Sequence, residues 1–157
     1  MDASVCSLIR CRLPPYKADV GPNCYIRPFT SIGKRARVGN ACEVKNSIIM
    51  DDTHIGHLSY VGDSIIGERG NLGAGTITAN YRLDSGTVKM MVKDKLADSG
   101  RIKLGAVLGD NVKTGINALL MPGIKVGKDS WIGPNLIVQR DLPSGSKVFL
   151  KQEVEKT

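Results

Sequence analysis

The chain has 157 residues, of which 18 are glycine and seven aromatic, and it carries a formal charge of +7. With 41% apolar residues it can build the core of one domain and is too apolar for a disordered chain. No apolar run approaches the ~18 residues of a membrane span, and Arg10 and Arg12 interrupt the short apolar stretch near the N-terminus, so the expectation is a soluble, cytoplasmic chain without a signal peptide.

Residues 1–17 show no repeat and read as a segment flanking the first coil. A six-residue register begins at Val20. It runs VGPNCY, IRPFTS, IGKRAR, VGNACE and VKNSII, each unit opening on a branched aliphatic residue. After a five-residue step from Val44 the register resumes at Ile49, Ile55 and Val61, and a second five-residue step leads to Ile66, Leu72 and Thr78. Leu108, Thr114, Leu120, Val126, Ile132 and Val138 follow at steps of six. A 3.6-residue helix cannot hold this period, and a flat sheet shows a period of two.

Six residues make one short strand and one corner, with the opening aliphatic side chain pointing inward. Three such units close a triangular coil, and coils stack at about 4.8 Å. The expected fold is all-β: a left-handed parallel β-helix of hexapeptide repeats over residues 18–142, in five to six coils, an exception to the right-handed crossover rule. Val20, Val38, Ile55, Leu72, Thr114 and Ile132 are expected on one edge. A narrow prism has no room for rings, and its corners use the backbone freedom of glycine. Cys24 and Cys42 lie 18 residues apart and are expected to stack as buried free thiols.

Residues 79–107 break the register and are expected to loop out of one corner as a long insert carrying six basic residues: Arg82, Lys89, Lys93, Lys95, Arg101 and Lys103. A long excursion from a compact domain is usually functional. Residues 143–157 leave the repeat as a C-terminal tail.

The four cysteines lack CxxC spacing, and the only histidines are His54 and His57, so no metal site is expected. The same count excludes a γ-class carbonic anhydrase, which shares the fold but uses three histidine ligands. The richest polar segment is IGHLSYVGDSIIGERGNLGAGTITANY, where His57, Tyr60, Asn71, Asn80 and Tyr81 fall close together. One edge of one prism is shallow, so a pocket requires a second subunit alongside.

That segment, with IRP, EVK, GAGT and the position of the insert, resembles the acetyltransferase half of the bifunctional N-acetylglucosamine-1-phosphate uridylyltransferase/glucosamine-1-phosphate acetyltransferase family. The stretch SGRIKLGA is closer to the archaeal sugar-1-phosphate nucleotidylyltransferase/acetyltransferase branch. The resemblance covers about residues 20–142. No nucleotidylyltransferase domain lies within the 157 residues, so the chain reads as a stand-alone acetyltransferase or an excised domain.

The resemblance implies acetyl-CoA as co-substrate, an amino-sugar 1-phosphate as acceptor, and a homotrimer with sites between subunits. It matches His57 to the general base that takes the proton of the attacking amine, a task suited to a neutral imidazole near neutral pH. It matches Arg27 and Lys45 to phosphate contacts and Lys103 to a loop lysine. Tyr60, Asn71 and Asn80 match sugar contacts with Tyr81 beside them, and Glu43 matches an acidic residue near the amine. For the coenzyme it points to Ala74 in GAGT, then to Ile116 and Pro134 where small residues are usual, and to Arg140 and Lys151, with Lys147 close by. His54 has no counterpart and reads as surface.

Glucosamine 1-phosphate is the expected acceptor, with galactosamine 1-phosphate as a second possibility. An acyltransferase for a nucleotide-linked amino sugar and a non-catalytic β-helix scaffold are the alternatives. Nucleic-acid binding has only the positive charge in its favour, because no aromatic stacking platform is apparent beside the basic residues.

Overall fold

The computed structural model describes residues 4–6 and 11–13, by their backbone, and residues 17–155. It is a left-handed β-helix of short parallel strands, with no α-helix among the described residues. Three flat faces form the prism. Face I stacks Cys24–Ile26, Glu43–Lys45, Tyr60–Gly62, Ile77–Thr78, Leu119–Leu120 and Ile137–Val138. Face II stacks Ser31–Ile32, Ile48–Ile49, Ile65–Ile66, Val107–Leu108 and Lys125–Val126. Face III stacks Ala18–Val20, Arg37–Val38, His54–Ile55, Asn71–Leu72, Lys113–Thr114, Trp131–Ile132 and Lys147–Val148.

The six-residue register is the inward column of each face. Of its seventeen positions, fifteen are buried, and Ile26 and Ile32 are half-buried against the same core. Val20, Val38, Ile55, Leu72, Thr114 and Ile132 share face III in direct register, as the repeat predicts. Cys24 and Cys42 are buried free thiols on adjacent rungs of face I. Side chains one step before the register point outward, so Ile48 is 46% exposed while Ile49 is 1% exposed.

Most corners place one residue in the left-handed region. At the corner from face II to face III these are Lys17, Arg35, Asp52, Arg69, Asn111, Asp129 and Gly145. The corner from face III to face I uses Asn23, Ala41, Leu58, Gly75, Asn117 and Asn135. Asparagine tolerates this conformation better than alanine or leucine does, so Ala41 and Leu58 are the strained members of their column.

The two five-residue steps both fall at the corner from face I to face II. The tighter turns put Asn46 and Asp63 in the left-handed region. They also turn Ser47 and Ser64 into the core, where each hydroxyl donates to the carbonyl two residues back, Lys45 and Gly62, at 2.7 Å. Ser64 Oγ also meets Thr78 Oγ1 at 3.1 Å, and Thr76 Oγ1 meets Thr114 Oγ1 at 2.7 Å. All these buried polar side-chain atoms are satisfied among the described residues.

The prism is longer than the repeat suggests. Lys147–Val148 pairs in parallel with Trp131–Ile132, so face III has seven rungs rather than five to six coils' worth and the ladder continues past residue 142. Asp141-Leu142-Pro143 hides this in the sequence because it breaks the spacing of six. The insert also has structure of its own. Lys89–Val92 and Lys95–Asp98 form an antiparallel hairpin, and the chain is pinched shut at its base where Leu104 N–H donates to Asn80 O at 3.0 Å. Near the N-terminus, Ser4–Cys6 and Cys11–Leu13 pair antiparallel with the first strands of faces I and III. The side chains of Cys6 and Cys11 lie outside the described residues.

Inward and outward positions predict opposite stability effects. Ile55→Ala, at a fully buried site, is expected to cost about 2–5 kcal/mol, whereas Ile48→Ala is expected to cost under about 1 kcal/mol. Chemical denaturation of the two variants checks this.

Candidate functional site

The corner from face III to face I repeats one geometry on successive rungs. Asn40, His57, Ala74, Ile116 and Pro134 occupy equivalent positions. Leu58 N–H donates to Asn40 O, Gly75 N–H to His57 O, Asn117 N–H to Ala74 O and Asn135 N–H to Ile116 O, at 2.8 to 3.3 Å. The four residues expected to carry the base and the coenzyme arm therefore form one column. The His57 ring is exposed and has no hydrogen-bond partner among the described residues, while its carbonyl accepts from Ser59 Oγ at 2.8 Å. One rung up, the Ala74 N–H donates to no backbone carbonyl among the described residues.

Face I adjoins this corner. Its outward column reads Tyr25, Glu43, Tyr60, Ile77, Leu119 and Ile137 in direct register. Beside the corner lies an open groove of about 550 Å³ lined by Asn23, Tyr25, Glu43, Leu58, Tyr60 and Ile77. Arg27 and Lys45 stand on consecutive rungs at the far end of the strands. Arg27 pairs with Glu43 at 2.9 Å and lies 5.9 Å from the centre of the Tyr25 ring. The Glu43 hydrogen bond raises the Arg27 pKa further above an already high value.

Lys45 is tied down more firmly. Its ammonium meets Asp63 Oδ2 at 2.9 Å, with the lysine side chain 19% and the aspartate side chain 4% exposed. The same carboxylate accepts from Asn46 Nδ2 at 2.6 Å and from Asn80 Nδ2 at 2.5 Å. Asn80 Nδ2 also donates to Tyr60 OH at 3.1 Å. Burial alone would raise the Asp63 pKa, but the hydrogen bonds from Asn46, Lys45 and Asn80 outweigh it and hold the carboxyl below its usual range. Gly62 makes room for this cluster, because a Cβ there would lie 2.5 Å from Tyr60 OH and 2.7 Å from Asn80 Nδ2. Tyr81 and Lys103 form a bridge at the neck of the insert, next to Asn80.

Lys45, Tyr60, Asn80, Tyr81 and Lys103 are thus gathered near one corner, with Glu43 on the same strand as Lys45 and Arg27 on the adjoining rung. Three expected residues are not. Asn71 is exposed on face III, in register with His54 and Lys113. Arg140 follows the last strand of face I, on the Asp63 side of the prism, whereas Lys151 follows Lys147–Val148 past face III and pairs with Glu153 at 4.0 Å. Asp63 is the residue that motif reading missed. The second five-residue step, from Val61 to Ile66, was its signal, because it marks the tight corner that buries this carboxylate. Among the described residues no three of His, Cys, Asp and Glu gather as a metal site.

Removing the central carboxylate leaves a largely buried ammonium unpaired. Asp63→Ala is expected to lose about 3 kcal/mol or more. The depressed Asp63 pKa stabilises the fold above the usual carboxylate pKa near 4 and loses that contribution as pH falls through the lower folded value. Denaturation between pH 2 and pH 6 is expected to show less acid sensitivity in the variant than in the wild type.

The sequence pattern of the family described as the GMPPB C-terminal domain matches residues 13–121. Among curated proteins, the bifunctional protein GlmU of Methanocaldococcus jannaschii is 59% identical over 95 residues, 60% of this chain and 23% of the relative. The bifunctional sugar-1-phosphate nucleotidylyltransferase/acetyltransferase of Sulfurisphaera tokodaii is 53% identical over 95 residues, 60% of this chain and 24% of the relative. The chain thus matches about a quarter of the length of these relatives. Among solved structures, the acetyltransferase domain of PglB from Neisseria gonorrhoeae aligns with a TM-score of 0.67 at 15% identity, over 84% of this chain and 54% of that one. PerB from Caulobacter crescentus, in complex with CoA and GDP-perosamine, aligns with a TM-score of 0.66 at 21% identity, over 83% of this chain and 52% of that one. At these identities the structural likeness speaks for the fold. The sequence match, which runs over more than two thirds of the residues, shows that the chain belongs to the family of the GMPPB C-terminal domain.

Proposed function

We propose that the chain catalyses acetyl-CoA-dependent N-acetylation of an amino-sugar 1-phosphate, with glucosamine 1-phosphate as the acceptor and galactosamine 1-phosphate as a second substrate. The observation that carries this reading is an open histidine, His57, with its coenzyme column at one edge of face I and the cations Arg27 and Lys45 at the other edge of the same face. The names of the curated relatives agree with it.

In this mechanism the sugar amine attacks the thioester carbon. His57 accepts the proton the nitrogen sheds, and the tetrahedral oxyanion lies against the Ala74 N–H. Collapse breaks the carbon–sulfur bond, and the proton passes from His57 to the departing CoA sulfur. Arg27 offers a fork and Lys45 a point charge to the acceptor phosphate. Both cations already hold a carboxylate, so the phosphate competes with Glu43 and Asp63 for them. Tyr60 and Asn80 orient the sugar, and Tyr81 and Lys103 border it at the neck of the insert. Asn71 faces away from this cluster, which supports a homotrimer in which face III of one copy supplies Asn71 to the groove of the next. The site is then shared between subunits of a cytoplasmic enzyme.

The PerB complex with GDP-perosamine favours a second reading, an acceptor carrying a nucleotide. A thiol-release assay over glucosamine 1-phosphate, galactosamine 1-phosphate, glucosamine and nucleotide-linked amino sugars separates the two. Preference for the nucleotide-linked acceptor overturns the first reading. His57→Ala is expected to lower kcat by about 10²–10⁴ with little change in acceptor KM, and wild-type turnover in that variant would sink the mechanism. Arg27→Ala is expected to raise the KM for glucosamine 1-phosphate about tenfold or more while leaving that for unphosphorylated glucosamine unchanged.

A further inference from the structure

Face III carries most of its exposed charge in one vertical file. Its outward column reads Asp19, Arg37, His54, Asn71, Lys113, Trp131 and Lys147. At the upper end the only tryptophan of the chain, 43% exposed, stands between two lysines. Lys147 Nζ lies 4.5 Å and Lys113 Nζ 5.9 Å from the ring centroid. Neither lysine has a carboxylate partner among the ion pairs of the described residues. An exposed indole between two unneutralised ammonium groups is matched to a ligand with a flat ring and phosphates.

The position of this cluster says which ligand. Lys113 and Trp131 each precede by three residues a member of the His57 corner column, namely Ile116 and Pro134. Pro134 stands three rungs above His57, about 14 Å at the stacking distance of strands. The pantetheine arm of CoA has about the bond count of four peptide residues, or ~14 Å when extended. An arm laid along the column with its thioester at His57 therefore ends level with Trp131. Arg140 lies on the other side of the prism, and Lys151 lies beyond the last strand of face III, outside the Trp131 cluster.

We propose that Lys113, Trp131 and Lys147 form the site for the adenosine 3′,5′-bisphosphate end of the coenzyme, an inference that rests on the acetyl-CoA reading above. The adenine takes the place of the Lys147 ammonium against the indole, and the two freed lysines close on the phosphates.

The single tryptophan makes the test direct. Adenosine 3′,5′-bisphosphate and CoA are titrated into the full chain by Trp131 fluorescence and by calorimetry. Both are expected to quench Trp131, and the bisphosphate is expected to compete with CoA. The double variant Lys113→Gln/Lys147→Gln is expected to weaken CoA binding about tenfold or more and to raise the KM for acetyl-CoA while that for the amino sugar holds. A charge-matched control, Lys34→Gln/Lys128→Gln on the corner between faces II and III, is expected to leave CoA affinity unchanged. CoA that binds the wild type and the Lys113/Lys147 variant equally, without changing Trp131, overturns this site and leaves the acetyltransferase reading standing. Bisphosphate binding at Trp131 without acetyl transfer to any amino sugar sinks that reading and keeps a nucleotide site. Absence of CoA binding and of quenching by the bisphosphate overturns both.

Discussion

Everything in this molecule hangs on vertical hydrogen bonding between rungs. Each short strand is only two or three residues long and is worthless alone. Its backbone groups are satisfied by the coils above and below, as in Gly39 N–H to Ile55 O and Gly73 N–H to Thr114 O. That requirement sets a fixed spacing between rungs and one inward side chain per face. It also forces one left-handed residue into most corners. Composition follows from geometry: Ile, Val and Leu fill the centre, and the rings stand outside, as Tyr25, Tyr60 and Trp131 do.

The same spacing turns sequence distance into spatial order. Residues about 17 or 18 apart become vertical neighbours, and the insert stretches this to 42 between Leu72 and Thr114 without disturbing their pairing. A functional column can therefore be assembled from residues remote in the chain. His57, Ala74, Ile116 and Pro134 are such a column. The side chains beside it inherit the same order, so a polar cluster such as Lys45, Asp63 and Asn80 draws one member from each of three rungs.

The prism and the face III edge are legible in the repeat, because inward burial acts at every sixth residue. Where the period was broken, reading stopped. Lys147–Val148 was hidden by the irregular turn at Asp141-Leu142-Pro143, and the hairpin at Lys89–Asp98 has no inward column to announce it. For the site, the motif identified the residue types but not their facing. Tyr60 and Asn80 meet, whereas Asn71, equally prominent in the same motif, points off another face. Asp63 was overlooked because its importance lies in how many partners it holds, which no single-residue motif expresses. Trp131 was overlooked because its lysines are 16 and 18 residues away in sequence.

The hydroxyls at the prism centre bear on how this fold changes over time. Aliphatic rungs can slide past one another with little penalty, since one Val packs much like another. Hydroxyl pairs cannot, because displacement by a rung leaves a buried donor unpaired. Thr76 to Thr114 and Ser64 to Thr78 and the Ala106 N–H lie directly beside the place where the insert departs and returns. They act as a clasp that holds the coils in step while the excursion between them varies. Lengthening a closed loop carries only a small entropic cost, so the neck at Asn80 and Leu104 is a docking port at which longer or shorter excursions can be exchanged over an unchanged prism.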